Sequence, residues 1–240
     1  NNPVAAELTA NDYVHYRATR LSVRNSEYSL AKSTHNYEIT ILNTVFNELI
    51  KMDEWKLPNP FIKLKKFKLE EKPPSFLNDK QIDFLLEDLN PTPLDRDVSR
   101  VVRVCLSTGS RVMEAVNLNV TQLSKYKITF TNTKGKRNRT VPISKDLYDE
   151  IHSDAAGPLF SCTYNDIRDR IKSSIDELPK GQATHILRHT FASHFMMNGG
   201  NILTLQKILG HSTITQTMTY AHLAPDYLNE AMEFNPVSTL

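Results

Sequence analysis

Residues 184–223 read THILRHTFASHFMMNGGNILTLQKILGHSTITQTMTYAHL and set His185, Arg188, His211 and Tyr220 in one stretch of helical pattern. Together these side chains suit a phosphodiester. A guanidinium and imidazoles give N–H donors to the non-bridging oxygens, an imidazole moves a proton, and a phenol hydroxyl attacks phosphorus. The set predicts covalent chemistry on nucleic acid rather than binding alone. Arg111, after Thr108-Gly109-Ser110 and opening the helical stretch VMEAV, extends it. Two arginines on one phosphate stabilise a pentacoordinate transition state without a metal. By itself Arg111 reads equally well as a structural partner of Glu114, and Glu114 would steady it under either reading. A phenol has a reference pKa of ~10, so Tyr220 needs cations and a proton acceptor beside it to attack at neutral pH. A tyrosine in a helix is also a common core residue, and only its neighbours in combination argue for more.

Competing chemistries lack residues that they require. His185 and His189 stand at i, i+4, the spacing of a zinc site. A metallopeptidase of the HExxH type needs Glu after the first His, where this chain has Ile186, and Arg188 would set a cation against the metal. His194 and His222 add no third-ligand pattern, so no metal or other cofactor is expected. There is no GxSxG elbow and no Walker loop. Residues 202–222 resemble a helix-turn-helix with Gly210 in the turn. The second half, TITQTMTYAH, has no Lys or Arg, and only Gln216 offers a bidentate base contact.

These residues need a scaffold. The chain has 240 residues, enough for one large domain or two modest ones, and a formal charge of +2, which is weak evidence until its distribution is known. Residues 1–62 read as helical, with Thr9 or Asn11 capping a first helix. A second carries Ile39, Leu42, Val45, Phe46, Leu49 and Ile50 at helical spacing. Residues 63–75, KLKKFKLEEKPPS, read as a linker. Its Lys63, Lys65 and Lys66 suit a solvated face or a strap across phosphates. From residue 76 to 240 a larger domain follows. Asn78 or Asp79 caps a helix, residues 97–106 form another, and further helices cover 147–151 and 164–178. Between them KYKITFTNTKGKRNRTVPIS alternates about Lys134-Gly135-Lys136 as a β-hairpin. Its Lys136, Arg137 and Arg139 read as a basic turn against a DNA backbone, and one lysine of the cluster is placed to protonate a leaving oxygen. The fold class is therefore mainly α with a small antiparallel sheet. No run of ~18 apolar residues spans a membrane. Cys105 and Cys162 read as buried, reduced thiols, which fits a cytosol-like compartment. A chain that starts at Asn1 reads as trimmed, and a tail after Asn235-Pro236 reads as mobile.

TGSRVMEAVNL, KGKRNRTVP, HILRHTFASH, LGHS and TMTYAH fall in the order seen in tyrosine recombinases, and the chain resembles the integrases of temperate phages within that family. The match spans most of residues 76–224, and residues 1–62 are similar in type to the family's helical core-binding domain. The resemblance implies that Arg111 and Arg188 form the arginine pair. It makes His185 the acid–base partner of the tyrosine and sets His211 on the phosphate. Lys134 becomes the hairpin lysine and Tyr220 the nucleophile. It further implies a 3′-phosphotyrosine intermediate, double-stranded DNA as partner, a homotetramer built of one dimer per site, and accessory DNA-bending proteins. It places the work in a bacterial host's cytoplasm, on the nucleoid, and allows an upstream arm-binding domain. Other activities consistent with the same residues are a topoisomerase-like nicking-closing enzyme of type IB and a non-catalytic DNA-binding protein.

Overall fold

The computed structural model describes residues 4–20, 30–69, 74–89, 92–131, 138–175, 178 and 183–225. The chain divides into two compact units, Asn1–Lys72 and Pro73–Leu240.

In the first unit α1 (Ala10–Thr19) starts at Thr9, which is extended and accepts a hydrogen bond from the Asp12 amide, while the Asp12 carboxylate accepts from the Thr9 amide. This reciprocal cap satisfies two orphan donors and settles the start on Thr9, not Asn11. α2 (Lys32–Lys51) turns Ile39 and Phe46 into a small core with Tyr13 and Phe61, and leaves Val45 and Ile50 exposed. Residues 63–69, read as linker, are tied to α2. Asn36 bonds both the amide and the carbonyl of Phe67, at 2.7 and 2.8 Å, and Leu64 packs on the core. The Arg17 guanidinium lies 4.7 Å over the Phe67 ring. Two apolar residues among lysines suffice to anchor the strand of chain, and the charge of their neighbours masks them in sequence.

In the second unit Asn78 caps α3 (Asp79–Asp88) through a reciprocal bond with Gln81. α4 (Pro93–Thr108) buries Val98, Val101, Val102, Val104 and Cys105 completely. Burial pushes the Cys105 thiol up to about 12 and the Cys162 thiol to about 11, so both are inert at neutral pH. α5 (Val112–Val116) leads into an antiparallel sheet of β1 (Leu123–Ser124), β2 (Lys127–Phe130) and β3 (Arg139–Pro142), in the order β1-β2-β3. Lys127 pairs with Pro142 and Phe130 with Arg139, so β2 and β3 are the strands of the expected hairpin. Its turn, residues 132–137, lies outside the described residues. The fold is thus mainly helical with one small antiparallel sheet.

α6 (Lys145–Ile151) and α7 (Tyr164–Ser174) complete the main core around α4. α7 stops at Ser174, short of the expected 178. The Ser173 and Ser174 hydroxyls both bond back to the Arg170 carbonyl, an alternative to helical propagation. α8 (His185–Met197) is buried along most of its length, at Ile186, Leu187, Arg188, Thr190, Ala192, Ser193 and Met196. α9 (Ile202–Leu209) ends at Gly210, and α10 (Thr215–Met218) is a single turn. A four-residue helix is too short to lie in a DNA groove as a recognition helix, which removes the helix-turn-helix reading. Among the described residues no helix is long and apolar enough to cross a membrane.

Candidate active site

The site is built around Arg188. Its side chain enters the interior, 6% exposed, and donates from Nη1 to the Gly109 carbonyl at 2.9 Å and from Nη2 to the Leu209 carbonyl at 2.8 Å. These carbonyls terminate α4 and α9. Helix C-termini carry unsatisfied carbonyls and partial negative charge, so two of them aimed at one guanidinium repay its loss of water. Both ends need a left-handed residue, and glycine supplies it, at φ +62° for Gly109 and +68° for Gly210. A Cβ on Gly109 would stand 2.4 Å from the Phe191 ring, so α8 packs against the bare backbone there. Burial, with the charges of Arg111 and Arg139, pulls the Arg188 guanidinium down to about 10, which leaves it protonated at neutral pH.

Arg111 sits at the start of α5 and is a third exposed. Its amide donates to Glu114 Oε2 at 3.0 Å and its Nη1 to Oε1 at 3.1 Å. Glu114 also receives Arg139 Nη2 at 2.6 Å. Burial opposes ionisation of Glu114. The bonds from Arg139 and the Arg111 amide, and then the two arginine charges, outweigh it and hold the carboxyl below its ordinary range. The expectation for Arg139 is corrected here. It does not face outward as a phosphate contact. Its side chain is 8% exposed, donates from Nε to the Ile208 carbonyl at 2.7 Å, and lies 4.6 Å over the Phe130 ring. Its place in β3 alternates it inward, toward the largely buried Glu114 carboxylate that pairs it.

His211 follows Gly210 and bonds through Nδ1 to the buried Thr217 hydroxyl at 2.9 Å. Burial and the charges of Arg188, Arg111, Arg139 and His189 pull it down to about 4, so it is neutral at pH 7 and offers one N–H. Tyr220 is 3% exposed, with its ring among Ala192, Met196, Leu205 and Leu209. Burial raises its pKa, and the Arg188 charge opposes that rise. Its hydroxyl is 2.6 Å from His189 Nδ1. Burial, His185 and Arg188 draw His189 down to about 4. His185 stands exposed at the start of α8, its ring centroid 6.4 Å from that of His189. The surrounding protein and the charges of Arg188 and Arg111 lower its pKa. The i, i+4 histidine pair gathers no third metal-ligating side chain among the described residues.

The fold therefore gathers Arg111, His185, Arg188, His211 and Tyr220 from α5, α8 and the segment after α9. Lys134, Lys136 and Arg137 lie outside the described residues. Lys63, Lys65 and Lys66 are exposed on the first unit. Sequence reading missed three contributors: His189 against Tyr220, Thr217 against His211, and the inward Arg139. His189 shares its face of α8 with His185, and that spacing points as readily to a hydroxyl partner as to a metal.

A mainly helical unit that sets two arginines, three histidines and a tyrosine about one point defines a catalytic domain for phosphodiester transfer. The model of the phage integrase family matches residues 75–226, and that of the phage integrase N-terminal domain matches residues 1–68. The chain belongs to the phage integrase family, and it is a phage-type tyrosine recombinase. It is similar to the integrase of Escherichia phage 186, 47% identical over 98% of this chain and 71% of that protein. It is similar to the catalytic domain of bacteriophage HP1 integrase, with a TM-score of 0.64 and 52% identity over 68% of this chain and 96% of that one. It shares its fold with the Tn1549 transposon integrase in complex with a circular intermediate DNA. That match has a TM-score of 0.70 at 21% identity and covers 95% of this chain and 85% of that one.

Proposed function

We propose that this integrase cuts and rejoins double-stranded DNA through a covalent bond between Tyr220 and a 3′-phosphate. Arg188 carries the reading. A guanidinium locked by the ends of two helices, within charge range of Arg111, His211 and Tyr220, is a preformed seat for an anion. Fixed donors of this kind need no reorganisation when charge develops on the phosphoryl oxygens. Arg111 and Arg188 hold those oxygens, and neutral His211, its Nδ1 accepting from the Thr217 hydroxyl, donates its one N–H to them. Tyr220 attacks in line, the P–O5′ bond breaks, and Lys134 gives the leaving oxygen its proton. His185, exposed at the start of α8, is the acid–base partner that exchanges the proton of Tyr220. The phosphodiester energy is kept in the phosphotyrosine link, so rejoining needs no nucleotide. A 5′-hydroxyl from a partner strand reverses the step.

Four protomers, one dimer per site, exchange strands in pairs, with accessory proteins bending the DNA where the site requires it. Lys63, Lys65, Lys66, Lys136 and Arg137 add phosphate contacts, so affinity falls steeply with salt. A phage or element of bacterial DNA sets the host cytoplasm as the place of action. A nicked substrate that traps the cleaved strand tests the chemistry. Wild type is expected to form a covalent adduct and Tyr220→Phe none. Absence of adduct from wild type on its own site overturns the reading. Relaxation of supercoiled DNA with no exchange between two sites would indicate a nicking-closing enzyme instead.

A further inference from the structure

We propose that Arg139 is a positioning residue for strand transfer, the side chain that holds the supports of Arg111, Arg188 and His211 at a fixed spacing. The inference rests on the reading of those residues as the seat of the phosphate. The two arginines of that seat stand on separate supports. Arg111 leans on Glu114 in α5. Arg188 is held by the Leu209 carbonyl at the end of α9, where Gly210 turns the chain into His211. Arg139 touches both supports at once. Its Nε donates to the Ile208 carbonyl at 2.7 Å, and its Nη1 and Nη2 donate to the two oxygens of Glu114 at 3.3 and 2.6 Å. Arg139 and Arg188 thus take consecutive carbonyls of one helix end, while Arg139 and Arg111 share one carboxylate. A Cβ on Gly210 would stand 3.3 Å from Arg139 Cδ, so the turn that presents His211 lies directly against this side chain.

The shape of the guanidinium makes it a spacer. It is planar, and covalent bonds fix the separation of its Nε from its Nη groups. Stacking on the Phe130 ring at 4.6 Å and burial of the side chain to 8% exposure set that plane on β2. Among the described residues no hydrogen bond joins Glu114 to α9 except through Arg139. The distance from the Arg111 support to the Arg188 support is therefore carried by this one group. Both arginines must meet the oxygens of the same phosphate, and a misplacement of about 1 Å behind reacting groups can cost about 10²-fold in rate. A buried Arg139 does this without touching DNA.

Two variants separate spacing from charge, fold and DNA contact. Arg139→Met keeps the length of the side chain and removes every donor. Arg139→Lys keeps a charge for Glu114 but meets it with a single point and cannot reach the Ile208 carbonyl in the same pose. Single-turnover cleavage of the nicked substrate is measured over a range of protein concentrations, below the melting temperature of each variant. Both variants are expected to cleave about tenfold or more slowly at saturation, with the half-saturating concentration unchanged. Arg139→Lys is expected to melt closer to wild type than Arg139→Met does, yet to cleave no better. Cleavage by either folded variant within about threefold of wild type at saturation overturns the proposal. So does a loss that more protein restores, which would make Arg139 a phosphate contact, and so does cleavage that recovers in step with the melting temperature, which would make it structural only. Arg139→Lys decides alone if Arg139→Met does not fold. Failure of the parent reading looks different, since wild type itself would then form no adduct.

Discussion

At the scale of single residues, charge is stabilised inside this protein by backbone as much as by side chains. Among the described residues no carboxylate forms an ion pair with Arg188. Two carbonyls hold its planar fork, and a lysine has one point charge with which to meet both. Arg188→Lys is therefore expected to lose cleavage by about 10²-fold or more while binding DNA. Arg188→Ala, which leaves both carbonyls unpaired, is expected to lower stability by about 2 kcal/mol or more in urea denaturation. The histidines give a pH dependence with a definite sign. His189 and His211 are held at about 4 in the fold against 6.5 for the free side chain. Below 6.5 the unfolded chain takes up protons that the folded one refuses, so stability falls as pH drops from about 6.5 toward 4. Thermal melting across that window is expected to show this, with a shallower slope in His211→Asn. An unchanged slope in that variant contradicts the assignment.

At the scale of elements, the site depends on how helices end. α4 and α9 both terminate at left-handed glycines, and those ends present the Gly109 and Leu209 carbonyls to Arg188. Gly109 also lets the Phe191 ring of α8 lie on the backbone. Gly109→Ala adds backbone strain to a 2.4 Å contact, and its expected cost is about 2 kcal/mol or more. Cleavage is expected to fall further than stability alone explains, because the carbonyl that orients Arg188 moves with the helix end. Denaturation and single-turnover cleavage of the same variant check both. β3 acts at this scale too. Arg139 ties the sheet to Glu114 of α5 and to the end of α9, so the hairpin that bears Lys134 is rooted in the arginine site.

At the scale of the whole molecule, each unit carries its own core. Tyr13, Ile39, Phe46 and Phe61 form one, and the clusters around α4 and α8 form the other. Residues 73–240 expressed alone are therefore expected to melt as one cooperative transition and to retain the Arg188 site. Without the lysines of residues 63–66, their DNA affinity is expected to fall and to depend less steeply on salt than that of the full chain. Equal salt slopes for the two proteins would show that the first unit contributes no phosphate contacts.

Much of this was legible in the sequence. Helical and alternating periodicity, cap candidates at Thr9 or Asn11 and at Asn78 or Asp79, and five motifs in order give the fold class, the hairpin and the residues that assemble, because each of these signals is local in the chain. Orientation was not legible. Arg139 sits in a run of basic residues and reads as surface, yet it turns inward to Glu114, a partner 25 residues away in sequence. His189 reads as a spare histidine until the fold sets Tyr220 against it, 31 residues on. Phe67 and Leu64 hide among lysines until α2 gathers them. Composition and spacing determine which groups are present and which face of a helix they share. Which buried oxygen meets which nitrogen is fixed only by long-range packing, because the cost of an unpaired polar group falls due where chain segments meet.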